Sequence, residues 1–304
     1  MTLQAGEQVP GVTIAPVGGF GNQVFIYAAG FAVAHQLGCP LYIDASWFKT
    51  QSLRRYELDT FASEGSLLPE VTRSTLFTGS RPRKYMQNLL VNYNVPLFKS
   101  FKEKRQFIFD SNIFLTHPGV KLEGYFQSYK YFQDVGDIIG AQVRKINAPS
   151  PWFVEMQSAL ASVGSWISVH VRRGDYLNKG VREIHGVVPR SYYVDALNLM
   201  DKAIPGSTPV VFSDDLDFAR RMLGNVSPRS IFVENPAASK SVESVVLMSQ
   251  SNGSILANSS FSWWGAWLGN NDERPVIAPR PWMEDDSFHE RDLFPLNWLT
   301  LGRE

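Results

Sequence analysis

Between residues 166 and 278, five short apolar runs are separated by stretches long enough for a helix, and this alternation leaves the chain very few architectures. The runs are 166–171, 209–212, 230–233, 254–257 and 275–278, with helices predicted at 190–202, 216–223, 241–249 and 260–268. Strands that alternate with helices build a mostly parallel sheet covered on both sides. In such sheets ligands bind beyond the carboxyl ends of the strands, which is where the polar residues of this chain fall. The first half opens in the same way. "VTIAPVGGFGNQ" reads as a strand over 12–17 and a glycine-rich turn, and "QVFIYAAGFAVAHQLG" as a helix from 23 to about 37. That helix is apolar nearly all round, so it is expected to be buried on most faces. Gly38 ends it, and 40–45 is the next predicted strand. From 46 to 121 the periodicity is weak and short helices and loops are predicted, followed by a strand, a turn and a helix over 120–132. The two prolines of "NAPSPW" (147–152) mark the expected crossover between two halves, 1–150 and 151–304.

Bulk properties exclude several classes. The 304 residues, 44% hydrophobic and 19% charged, suit one large or two ordinary folded domains. Lys+Arg and Asp+Glu both number 29, and this zero balance argues against nonspecific nucleic-acid binding. Cys39 is the one cysteine, so no internal disulfide can form and a reducing compartment fits. The start, "MTLQAGEQVPG", has neither the basic residues nor the apolar core of a signal peptide. No apolar run approaches the roughly 20 residues that span a bilayer. The expectation is a cytoplasmic protein without an integral membrane segment. The glycosylation triplets at Asn225 and Asn258 then read as chance matches.

Four strand ends carry candidate chemistry. "GGFGNQ" (18–23) joins a strand to a helix, and glycines let backbone approach a ligand while the helix N-terminus offers free N–H groups to an anion. Val24 occupies the third position of the dinucleotide glycine pattern, and no Gly-Lys-Ser/Thr follows, so a plain tight turn stays open as the alternative. "HVRRGDY" (170–176) puts two guanidiniums at a strand end, a group that grips two phosphate oxygens and opposes charge growing on a leaving group. An Arg173–Asp175 ion pair and a hydrogen-bonded core histidine at His170 are the plainer readings. "VVFSDD" (210–215) ends in Asp214 and Asp215, which could cap the next helix, bind a ribose or base, or hold a divalent metal. "NSSFSWWGAWL" (258–268) offers Ser259 or Ser260 as a cap beside a phosphate site and Phe261 to stack on a flat ring; Trp263, Trp264 and Trp267 are expected in the core. Weaker features are His185, in a loop before a helix, and Glu123 and Gln127 among the aromatics of "EGYFQSYKYF", a composition that suits a sugar face or ordinary packing.

Together "GGFGNQVFIYAAG", "HVRRGDY", "VVFSDD" and "NSSFSWWGAWL" resemble the motifs of the α-1,2-fucosyltransferases, the glycosyltransferase family 11 type. "GYFQS" and "IHGVVPRSYY" fall in the same order, and the matches run from about Gly18 to Leu268. The resemblance implies an α/β, GT-B-like fold of two Rossmann-like halves facing a cleft. It implies inverting transfer of L-fucose from GDP-β-L-fucose to the 2-hydroxyl of a galactose-terminated glycan, with no cofactor and no essential metal. Arg172, Asp175 and Asn22 would be the catalytic residues, with Asp175 the expected base and His185 or Glu123 the alternatives. Gly21, His170, Arg172, Asp215, Ser259, Ser260 and Phe261 would bind the donor, and Glu123, Gln127 and His185 the acceptor. One departure bears on the base: family members often carry an acidic residue where this chain has Ser244, and Glu243 beside it would point elsewhere on a helix. Another nucleotide-sugar glycosyltransferase, or a non-catalytic glycan-binding protein, are the rival readings.

Overall fold

The computed structural model describes residues 9–50, 52–68, 99–173, 185–269, 271 and 273–303. Among these, strands β1 (Val12–Ile14), β2 (Leu41–Ile43), β3 (Ser66–Leu67), β4 (Lys99–Lys102) and β5 (Val120–Glu123) form a sheet ordered β3-β2-β1-β5-β4. Strands β6 (Trp166–Val171), β7 (Thr208–Ser213), β8 (Ile231–Phe232), β9 (Gly253–Ile255), β10 (Val276–Arg280) and β11 (Leu299–Gly302) form a second, ordered β11-β10-β9-β6-β7-β8. The strand pairings within both sheets are parallel, as strands joined by helical crossovers must be. The α-helices among the described residues are α1 (Phe20–Leu37), α2 (Gly136–Arg144), α3 (Pro151–Ala161), α4 (Arg190–Ala203), α5 (Leu216–Leu223), α6 (Ser241–Ser249) and α7 (Ser260–Leu268).

The alternation in the second half places its strands and helices within a few residues of their expected positions. β6, buried at every residue, is the centre of its sheet. The chain runs outward through β7 and β8 and returns to β9 on the other side of β6, so the switch point lies between β6 and β9. Differences fall elsewhere. α1 starts at Phe20, ahead of the expected 23. The helix expected near 132 is replaced by single turns at Tyr129–Tyr131 and Gln133–Val135 leading into α2. "NAPSPW" holds a helix start: Ser150 Oγ accepts from Phe153 N at 3.2 Å and Pro151 takes the first helical position, where its missing N–H costs nothing.

α1 is buried along most of its length and ends at Gly38, whose left-handed φ of 59° supplies the cap. It lies against both β1 and α7. A Cβ at Gly30 would come within 2.3 Å of Ile14 Cγ2, and one at Gly21 within 2.5 Å of the Ser260 carbonyl carbon. An aromatic seam continues this contact: Phe25 lies 4.5 Å from Trp263 and 5.0 Å from Trp264, and Phe132 stacks on Trp264 at 5.3 Å. Side chains of both sheets belong to one continuous apolar cluster through this seam. Behind it, buried Arg274 donates to Met248 O, Ser251 O and Ala266 O, near the carboxyl ends of α6 and α7. Burial lowers its pKa to about 10, so the cation persists at neutral pH and opposes the negative ends of both helices. Among the described residues no helix is long and apolar enough to cross a membrane.

Candidate functional site

A cleft of about 470 Å³ opens at the carboxyl ends of the strands, within the range of small-ligand sites. The register of β6 and β7 builds its charged floor. His170 pairs with Phe212 and Val171 with Ser213, so the next residues leave the two strands side by side. Arg172 Nη1 lies 3.0 Å from Asp214 Oδ2, and Arg173 N donates to Asp214 Oδ1 at 2.9 Å. Arg173 Nη1 in turn reaches Asp215 Oδ2 at 2.6 Å. The arginines thus pair with the two acids that directly follow β7. Asp175 lies outside the described residues.

Asp215 takes the helix-cap alternative. Its Oδ1 accepts from Phe218 N at 2.9 Å; that bond and then Arg173 hold its carboxyl below the usual range. Asp215 does not line the cleft, whereas Asp214 does. Strand register was the signal that could have singled out Asp214, because a parallel partner at the same depth as Arg172 must meet it.

His170 lines the cleft from the end of β6, 3% exposed, and its Nδ1 makes no hydrogen bond among the described residues. Burial, then the Arg172 charge, push its pKa down to about 3, so the ring is neutral. It packs against Phe261 with ring centres 5.5 Å apart.

Two helix N-termini abut in the same cleft. Ser259 caps α7, its Oγ accepting from Phe261 N at 3.3 Å, and Gly21 of α1 sits directly on Ser260. Trp264 Nε1 donates to Gly21 O at 3.0 Å. Asn22 Oδ1 accepts from Ser260 Oγ at 2.6 Å and from Gln127 Nε2 at 2.9 Å. That pair of donors fixes the amide and leaves its nitrogen to act as a donor. Gly21, Asn22, Ser259, Ser260 and Phe261 all line the cleft.

Gln127 and Tyr125 form one end of the cleft with Gln106, whose Nε2 donates to Gln127 Oε1. Each glutamine adjoins a fully buried phenylalanine with left-handed backbone, Phe107 at φ 63° and Phe126 at φ 52°. Such conformations cost non-glycine residues energy and persist where the surroundings enforce them. Glu103 supplies part of that enforcement: its Oε2 accepts from Tyr125 N at 2.7 Å and Phe126 N at 3.1 Å. Burial raises its pKa, and those two N–H groups counteract the rise. Glu123, expected at the acceptor, is exposed at the end of β5 and does not line the cleft. β5 turns its alternate residues, Val120 and Leu122, into the core, which sends Glu123 outward. Glu103 and Gln106 had no sequence signal, since "FKEKRQF" reads as a charged loop.

His185 also lines the cleft. Its carbonyl accepts from Asn258 Nδ2 at 2.6 Å and from Arg303 Nη1 and Nη2 at 3.1 and 3.0 Å, which fixes the backbone that carries the ring. Burial, then Arg172 and Arg303, lower its pKa. Asn258 is 2% exposed and packed into this network, incompatible with glycan attachment in the folded chain.

Residues 11–302 match the family model of glycosyl transferase family 11. An alpha-1,2-colitosyltransferase of Escherichia coli is 28% identical over 291 residues, spanning 94% of this chain and 97% of that protein. The O-antigen biosynthesis glycosyltransferase WbnK of Escherichia coli is 28% identical over 308 residues, 93% and 98% of the two chains. Galactoside alpha-(1,2)-fucosyltransferase 2 of Oryctolagus cuniculus is 24% identical over 287 residues, 91% of this chain and 72% of that protein. Among solved structures, the fucosyltransferase NodZ from Bradyrhizobium superposes with a TM-score of 0.53 at 14% identity, covering 86% of this chain and 94% of that one. An Arabidopsis thaliana FUT1 mutant in complex with GDP gives a TM-score of 0.50 at 16% identity, covering 88% and 70%. These structural likenesses speak for the fold, and the expectation of a GT-B architecture holds.

Proposed function

The chain belongs to glycosyl transferase family 11, and from that premise we propose that it is a galactoside α-1,2-fucosyltransferase. It moves L-fucose from GDP-β-L-fucose to the 2-hydroxyl of a galactose-terminated glycan, inverting the anomeric carbon and using no essential metal. Residues 151–304 hold the donor and 1–150 supply most of the acceptor side.

The observation that carries this reading is the convergence of Arg172 with the N-termini of α1 and α7 in one cleft. A diphosphate there meets a guanidinium and the positive ends of two helices, the combination that binds an anion and stabilises it as it gains charge. In the transfer step the bond from the anomeric carbon to the β-phosphate oxygen breaks, and its electron pair leaves with GDP. The acceptor oxygen bonds to the opposite face of that carbon. Arg172 and the helix termini oppose the growing phosphate charge, with Asp214 holding the guanidinium in place at 3.0 Å. The neutral rings of His170 and Phe261 pack beside the nucleotide, and the Asn22 amide donates across the cleft. The acceptor's proton passes to His185, the candidate base that lines the cleft; a lowered pKa keeps it unprotonated and able to accept at neutral pH. Gln127 and Tyr125 hold the sugar, with Trp282 and Phe288 as apolar walls.

The 28% identity to an alpha-1,2-colitosyltransferase favours a second donor reading, colitose in place of fucose. Purified protein incubated with GDP-fucose, the matching colitose donor and UDP-sugars against several β-galactosides, with linkage analysis of products, decides between them. An α-1,2-linked product that persists in excess EDTA is expected. Absence of transfer from every GDP-sugar, or loss in EDTA rescued by Mn²⁺, overturns the reading. Glycan binding without GDP binding would instead support a non-catalytic lectin.

A further inference from the structure

A guanine edge presents two adjacent donors, the ring N1–H and the exocyclic amine, and a carboxylate accepts both. α6 offers no such group to the cleft. Ser244 Oγ is taken by Asn235 Nδ2 at 3.0 Å, and Glu243 is fully buried and spent on local bonds. Glu243 Oε1 accepts from Ser150 N at 2.7 Å, and its Oε2 from Lys240 N and Ser150 Oγ, both at 3.0 Å. The carboxylates among the described lining residues are Asp214 and Glu57. Asp214 is committed to Arg172 and to the Arg173 amide.

Glu57 has another setting. It comes from the opposite half of the chain, is 6% exposed and has an Oε1 that makes no hydrogen bond among the described residues. Its ion-pair neighbour, Arg55 Nε, lies 3.5 Å from that Oε1 and belongs to an exposed side chain. The backbone around Glu57 is held firmly. Glu57 N donates to Gln23 Oε1 at 2.9 Å, and Gln23 Nε2 donates back to Gly18 O and Arg55 O. Arg55 Nη2 also reaches Ser239 O at 3.3 Å, tying this loop to the turn before α6. Glu57 therefore lines the same cleft as Ser241, Asn235 and Ser213, the last at the end of β7. In a doubly wound sheet ligands bind at the switch point beyond the carboxyl ends of the strands, and β7 and β8 lead outward from β6 on the side of Ser213.

We propose that Glu57 reads the base of the donor nucleotide, its carboxylate accepting the paired N–H donors of guanine. The proposal rests on the GDP-sugar reading above. Adenine turns an unprotonated ring nitrogen to the same carboxylate, and uracil offers one N–H between two carbonyls, so both are disfavoured. The selectivity device then sits across the cleft from the sheet that grips the phosphates, and base recognition requires both halves.

The test is calorimetric titration with GDP, IDP and pyrophosphate. IDP differs from GDP by the missing exocyclic amine alone. The wild-type protein is expected to bind GDP roughly 10- to 100-fold more tightly than IDP, the span of one hydrogen bond to a charged group. In Glu57→Gln the ratio is expected to fall to about 3-fold or less, the remnant of a neutral acceptor, while pyrophosphate affinity stays at the wild-type value and reports an intact phosphate site. A Glu57→Gln protein that keeps the wild-type ratio overturns the proposal. So does a wild-type protein that binds GDP and IDP alike, a result that needs no variant to fold. Failure of the GDP-sugar reading looks different, since wild type would then bind neither nucleotide.

Discussion

Gly21→Ala sets two effects of opposite sign against each other. Helix propensity alone favours alanine by up to about 1 kcal/mol. The structure opposes it, because the new Cβ would lie 2.5 Å from Ser260 C, 2.6 Å from Ser260 O and 2.7 Å from Ser260 Oγ. Two of those atoms are backbone, so relief requires the N-termini of α1 and α7 to separate. Overpacking of this kind costs about 1–3 kcal/mol, and a weakened Trp264–Gly21 hydrogen bond adds about 1 kcal/mol. The packing cost wins, and the variant is expected to melt several degrees below wild type. The loss of transfer should be larger than the loss of stability suggests. Asn22 moves with Gly21, its 2.6 Å bond to Ser260 breaks, and displacement near 1 Å at a reacting site costs roughly 10²-fold. Gly136→Ala is the control: its Cβ would meet Trp267 at 3.4 and 3.6 Å, ordinary contact, at the first residue of α2. Thermal melts and initial rates on both variants decide the matter. A Gly21→Ala enzyme with wild-type melting and turnover would refute the claim that helix apposition builds the anion site.

Arg172→Ala should lower kcat by roughly 10²–10³-fold while leaving the melting curve near wild type, and near-normal turnover would remove it from the reaction. For His185, burial and two nearby arginines depress the pKa, so the neutral, proton-accepting form should persist through the ordinary histidine range; kcat/KM should drop as pH falls through the lowered value, and His185→Gln should lose roughly 10²–10⁴-fold and abolish that acid limb. An unchanged acid limb in His185→Gln would assign it to another group. Glu103→Ala removes two charge-assisted bonds to the Tyr125 and Phe126 amides, at about 1.5–3 kcal/mol each; KM for the acceptor should rise more than kcat falls, with GDP affinity unchanged.

Legibility in the sequence tracked burial. The strands of the second sheet were readable because a strand covered on both faces must be apolar throughout, as β6 is. β3 and β4 are exposed edge strands, Ser-Leu and Lys-Ser-Phe-Lys, so no apolar run announces them. α3 carries a local signal in Ser150 and Pro151, a cap followed by an N1 proline, but two prolines within six residues equally suit a break between halves. At the site, the glycine turn, the strand-end arginines and the Ser259–Phe261 cap were visible because each is local. What stayed hidden needs two distant segments at once: the Arg172–Asp214 pair comes from strand register, and the Gln106–Gln127–Asn22 chain from three separate loops. Glu123 was misplaced for the reverse reason, a carboxylate next to aromatics in sequence whose strand points it away.

The seam in which Phe25 and Phe132 meet Trp263 and Trp264 limits how the molecule can breathe. A hinge that swung one sheet clear of the other would pull those rings apart and leave large indoles wet. Donor entry and product escape must therefore be served by movements smaller than a domain swing, and heating should take both sheets down in a single calorimetric peak.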